Sequence, residues 1–112
     1  MGNRDHLGEF EHIVLLALVR LGDTAYGMTI RQEIAERIAR NVAIGAVYTT
    51  LDRLEAKGLI SSRVGPSTPE RGGRAKRYFR IEAPGVKAID NSWANLSKMR
   101  RGLGNELAPS GA

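Results

Sequence analysis

A helical pattern that stops at a glycine and runs directly into two short strand-like segments constrains this chain more than anything else in it. From Ile44 to Lys57 the apolar residues Ile44, Val47, Leu51 and Leu54 recur at helical spacing, which gathers them on one face, and Gly58 ends the pattern. Leu59–Val64 and Arg74–Ile81 then alternate well enough for two antiparallel strands. The intervening Gly65, Pro66, Ser67, Thr68, Pro69, Gly72 and Gly73 are turn formers, so the two segments read as a hairpin.

Charge gives that unit a direction. Residues 57–80 hold Lys57, Arg63, Arg71, Arg74, Lys76, Arg77 and Arg80 against the single acid Glu70, a local net of +6, while the whole chain of 112 residues carries +5. The remainder is close to neutral, so the basic field is local. Solvated lysines and arginines guarding a strand edge would account for such a hairpin taken alone. Beside a helix with a small-residue end, the same charge points to a polyanion.

Upstream, Leu7–Leu21 reads as a first helix with Asp5 available as its N-cap, and its apolar residues run around most of the circumference, as in a helix buried on several sides. Gly22-Asp23 ends it. A second helix spans about Tyr26 to Arg40, with Ile30, Ile34 and Ile38 in one stripe and Arg31, Glu33, Glu36 and Arg37 on the polar side. The short turn Asn41–Ala43 then makes helices two and three close neighbours, a helix-turn-helix arrangement.

The third helix offers Gly45 and Ala46 at its N-terminal end, small enough for close approach to a surface. Tyr48, Thr49 and Arg53 can donate to phosphates or base edges. Tyr48 fits a half-buried core-edge tyrosine equally well. Asp52 could accept from a cytosine amine, but orienting Arg53 or an arginine of helix two is the favoured expectation. On the second strand Ala75, Arg77, Phe79 and Ile81 share one face and Lys76, Tyr78 and Arg80 the other. Arg71, Arg74 and Lys76 fall at or near the tip, which makes them the leading phosphate or minor-groove candidates.

Beyond the hairpin, Pro84 suits the first turn of another helix. Val86, Ile89, Trp93, Leu96, Leu103 and Leu107 follow a 3–4 spacing that Arg100 interrupts, and Gly102 and Gly104 weaken the last turns. Such a seam either folds back on its own domain or pairs with a second copy, as in a coiled coil. The second use is favoured, since helix one already supplies ample apolar surface. A two-fold dimer would present two reading helices to a palindromic site with half-sites about 34–36 Å apart.

At this point the chain resembles the PadR-type winged-helix transcriptional regulators. The resemblance is carried by Leu15-Leu16-Ala17-Leu18, by Ala25-Tyr26-Gly27-Met28-Thr29-Ile30, by the run from Gly45 to Ile60 and by Gly72 to Ile81. It implies a mostly α fold with a small β-hairpin, a winged helix-turn-helix plus a C-terminal dimerisation helix. It further implies a homodimer, usually a repressor, with helix three in the major groove of double-stranded DNA. Tyr48 matches the family's recognition-helix tyrosine, and Arg74 and Lys76 match its wing cations. Two positions depart from the common pattern: Thr49, where many members carry proline, and Glu82, where many carry a threonine cap. The expected division is a flexible arm at 1–6, a DNA-binding domain at 7–82, a dimerisation helix at 83–107 and a disordered tail at 108–112. The short C-terminal part leads us to expect no separate ligand domain. Trp93, the only tryptophan, could anchor the interface or stack on a planar aromatic effector; anchoring is the commoner use.

Other functional classes find little support. His6 and His12 have no thiol or carboxylate pattern beside them, and Gly72-Gly73 sits in a hairpin rather than opening a helix, so no catalytic, cofactor or metal site is expected. The chain has no cysteine, and its longest apolar run, Ile13 to Val19, falls far short of the ~20 residues that span a bilayer. With no signal-peptide pattern at the start, a cytoplasmic protein is the expectation. A chain of this length buries roughly 65% of its unfolded surface, enough for one domain without staples. The competing reading is a winged-helix module that docks a protein through the same helix-three surface.

Overall fold

Apolar residues of four helices and a hairpin converge on one core in a computed structural model that describes residues 6–65 and 75–107. The order is α1 (Glu9–Leu21), a 3-10 turn (Gly22–Thr24), α2 (Gly27–Ile38), α3 (Ile44–Ala56), β1 (Ile60–Val64), β2 (Arg77–Ile81) and α4 (Ala83–Arg100). Val14, Leu15 and Leu18 of α1 meet Ile30 and Ile34 of α2 and Val47, Leu51 and Leu54 of α3, with Leu59, Ile60, Phe79 and Ala88 closing the cluster. Each of the larger side chains among these contributes about 1.5–3 kcal/mol by leaving water.

Local chemistry sets where each helix starts and stops. Helix α1 begins at Glu9, two residues later than expected, because Gly8 occupies the N-cap and its N–H donates to the Glu11 carboxylate at 2.9 Å. Asp5, the expected cap, lies outside the described residues. At the start of α2 the Thr29 hydroxyl accepts the Tyr26 N–H at 2.9 Å. This helix ends at Ile38, short of Arg40, where Ala39 takes left-handed backbone (φ 54°) and swings the chain toward α3. Arg31 Nε ties that turn down by donating to the Val42 carbonyl at 2.9 Å. With the helix cut short, Ile38 misses the core and stays exposed, while Ile30 and Ile34 of the same stripe are buried.

The end of α3 governs the hairpin. Gly58 has φ 78°, and the Leu59 N–H donates to the Leu54 carbonyl while the Gly58 N–H donates to that of Glu55. This is a Schellman stop, which satisfies the last carbonyls and points the chain straight into β1. Strands β1 and β2 pair antiparallel, with Ile60 opposite Ile81 and Val64 opposite Arg77. Both are shorter than the alternation suggests. The segment ahead of α2 pairs along the outer side of β2, since the Phe79 N–H donates to the Ala25 carbonyl and Tyr26 bridges to Tyr78. Strand β2 is thus fastened to the helical body at Tyr78 and Phe79.

Helix α1 is less enclosed than its composition suggests: Leu16 and Val19 face solvent. Helix α4 has two different halves. Gly85 and Ala88 are buried and Ile89 packs against the core, while Ser92 Oγ lies 3.3 Å from His12 Nδ1 on α1. Trp93, Leu96 and Met99 are 66%, 54% and 76% exposed, so the outer half is left largely uncovered by its own domain. Leu103 and Leu107 fall beyond the helix, which ends at Arg100. Among the described residues no helix is long and apolar enough to cross a membrane.

One buried charge braces α1 against the end of α3. Both oxygens of Glu11 accept from Lys57 Nζ, at 3.1 and 3.0 Å, and Lys57 also donates to the His6 carbonyl. Burial pushes the Glu11 carboxyl up, but the Gly8 N–H, Lys57 and Arg53 together outweigh it and hold the carboxyl below its ordinary value. A carboxylate whose folded value is depressed contributes stability above the unfolded value, and that contribution fades as pH falls through the folded one. Glu11→Gln should therefore cost about 1–2 kcal/mol in denaturant melts at neutral pH, and the gap from wild type should narrow once the medium drops below the ordinary glutamate range. A gap that stays constant into acid would show that the pair carries no such linkage.

Candidate nucleic-acid interface

The face of α3 opposite the core is bare. Val47, Thr50, Leu51 and Leu54 point inward, while Gly45, Ala46, Thr49, Asp52 and Arg53 are exposed. This end can approach a surface as closely as the sequence suggests, because nothing larger than a methyl projects at Gly45 and Ala46. Tyr48 stands between the two environments at 37% exposure. Its ring and hydroxyl lie against the backbone of Gly27, so closely that a Cβ built there would overlap the phenol. A glycine at the start of α2 thus leaves room for the tyrosine of α3, and its contact fixes the ring at the edge of the exposed face.

Arg53 is exposed but leans toward Glu11, with Nη1 4.0 Å from Oε2. Asp52 does not orient Arg53 or an arginine of α2; its partner is Arg77 of β2, at 3.5 Å. The sequence places these two in different elements, and only the hairpin's fold over α3 brings them together.

The root of the wing is a ladder of cations and rings. Arg63 lies over the Tyr78 ring at 5.0 Å, Tyr78 meets Tyr26 edge-on with centroids 5.4 Å apart, and Lys76 Nζ sits 4.8 Å from the Tyr26 centroid. In both cation contacts a positive group lies on the negative face of an aromatic, which steadies a flexible side chain without cancelling its charge. Lys76 is therefore held at the root of the wing. Arg71 and Arg74 lie outside the described residues. Sequence reasoning missed Tyr26 and Tyr78 as parts of this site, although the shared face of Lys76 and Tyr78 on β2 was the available signal.

Chemically, the surface can neutralise phosphates and admit a groove edge. Among the described residues no three His, Asp or Glu side chains gather as metal ligands. The seam residues expected on α4 divide by exposure, with Val86, Trp93 and Leu96 open to solvent and Ile89 half-buried against its own core.

Comparison with known proteins agrees with this architecture. A transcriptional regulator from Clostridium thermocellum superposes with a TM-score of 0.71 at 24% identity, over 88% of this chain and 92% of that one. A PadR family transcriptional regulator from Eggerthella lenta gives 0.69 at 23% identity, over 89% and 87%. The fold also occurs within the ORC1 protein of Aeropyrum pernix, solved in complex with DNA, at a TM-score of 0.64 and 21% identity over 86% of this chain and 27% of that one. No protein of curated function matches the chain. The sequence model of the transcriptional regulator PadR-like family matches residues 15–91, well over half of the chain, and the protein belongs to that family.

Proposed function

We propose that the protein is a homodimeric, sequence-specific DNA-binding regulator that acts as a repressor. The reading rests above all on the bare α3 face lying beside cations that are held on rings. Among the described residues the ion pairs belong to Arg37, Arg40, Arg53, Lys57 and Arg77, while Lys76 and Arg63 rest on tyrosines. In this reading α3 enters the major groove, with Gly45 and Ala46 at closest approach and Tyr48, Thr49 and Arg53 as donors. Lys76, together with Arg71 and Arg74, which the sequence puts at or near the tip of the wing, lies on the backbone or in the minor groove. The family to which the chain belongs, that of PadR-like transcriptional regulators, supports the same reading. Repression is carried by the family resemblance.

Surface that a single copy leaves uncovered supports the dimeric part of this reading. Trp93 and Leu96 of α4 and Leu16 of α1 line one open groove, which His12, Ile13 and Ser92 extend. A second copy bringing the same face would cover both, an isologous contact that suits a palindromic operator. Val86 would sit at its margin and Ile89 beneath it. An aromatic effector, if the protein takes one, would stack on Trp93 in this interface.

Two measurements test these claims. Lys76→Ala should weaken binding to all duplexes alike, and the slope of log affinity against log salt should flatten by up to about 0.9 for the one phosphate left without its cation; an unchanged slope would remove Lys76 from the interface. In sedimentation analysis, Leu96→Arg should raise the dimer dissociation constant at least about 100-fold, because an unpaired charge would have to be buried. A variant that remains dimeric would place the interface elsewhere.

A further inference from the structure

We propose that Arg77, although part of the cationic ribbon, is a positioning residue that fixes the angle between the wing and α3 and makes no phosphate contact of its own. Its guanidinium forks between two carboxylates of α3, with Nη2 2.6 Å from Glu55 Oε1 and Nη1 3.5 Å from Asp52 Oδ1. Its guanidinium carbon lies 5.0 Å from the Phe79 ring centroid. The other oxygen of Glu55 accepts from Ser62 Oγ of β1 at 2.8 Å. One network therefore joins α3 to both strands of the hairpin.

Three features make this a strut rather than an incidental surface pair. Asp52 and Glu55 are three residues apart on α3, hence on one side of the helix, and they present their carboxylates to a single partner. A planar guanidinium can engage both and stack on a ring, which an ammonium cannot. Arg77 also pairs with Val64, the last register pair before the loop, where a tether has most leverage over the wing tip. Charge points the same way. With two carboxylates on it, Arg77 has little left for a phosphate, and it masks acids on a helix that must approach a polyanion.

The DNA part of this inference rests on the duplex-binding reading above, so the test has two arms. Arg77→Gln lowers the net charge by one, and Asp52→Asn/Glu55→Gln raises it by two. Both should cut the ratio of affinity for a duplex enriched from a random pool to affinity for random duplex, by about three- to tenfold. Arg77→Gln should leave the salt slope unchanged. Both variants should also speed amide hydrogen exchange across the paired strands β1 and β2, with α1 and α2 as protected as in wild type. A slope that falls by about 0.9 in Arg77→Gln would make Arg77 a phosphate contact and overturn the inference. So would unchanged discrimination and unchanged hairpin protection in both variants. Should the wild-type protein bind no duplex, the duplex-binding reading fails by itself, and hairpin exchange alone decides whether Arg77 is a strut.

Discussion

Burial of one face of α3 is the constraint on which the rest of the molecule depends. Val47, Leu51 and Leu54 are fully enclosed between α1, α2 and the hairpin, and only a helix gripped this firmly along one side can leave the other side bare. The core therefore does more than stabilise the fold: it determines which residues of α3 are presented. The Schellman stop at Gly58 follows from the same placement, since the chain leaves α3 in the one direction that lays β1 back over the core. The exposed face of α3 and the wing are consecutive outcomes of a single packing arrangement.

Polar contacts then sort the basic residues into two populations. Lys57 is consumed by Glu11 and the His6 carbonyl, and Arg77 by Glu55 and Asp52. These cations hold elements together. Lys76 and Arg63 are steadied by tyrosine rings instead, which keeps their charge available. A local excess of +6 in the sequence thus overstates the charge that the surface can offer a partner. The distinction also explains acids on α3, a helix otherwise suited to approaching phosphate.

Much of this is legible in the sequence because it rests on periodicity and on glycine. The apolar spacing of Val47, Leu51 and Leu54, the stop at Gly58 and the alternation of β2 are local signals, and each produces the expected element. What escapes are relations between elements. Glu11 and Lys57 lie far apart in the chain, and no local pattern announces their pairing. Asp52 points to the wrong arginine in the sequence for the same reason. The role of Gly27 becomes visible only when the Tyr48 ring is seen lying on it. Helix α1 misleads in another way: its apolar circumference suggests burial on several sides, yet Leu16 and Val19 emerge on the surface. A hydrophobic pattern shows that a face needs covering without saying whether this chain or another one covers it.

The central claim, that two copies of the α3 face and its cationic wing lie on one side of a duplex, is tested most directly by hydroxyl-radical footprinting on a duplex enriched from a random pool. Two protected patches on the same face of the DNA, centred about 10–10.5 base pairs or a multiple of that apart, are the predicted result. Absence of protection at saturating protein and low salt, or a single patch with no symmetric companion, would contradict it.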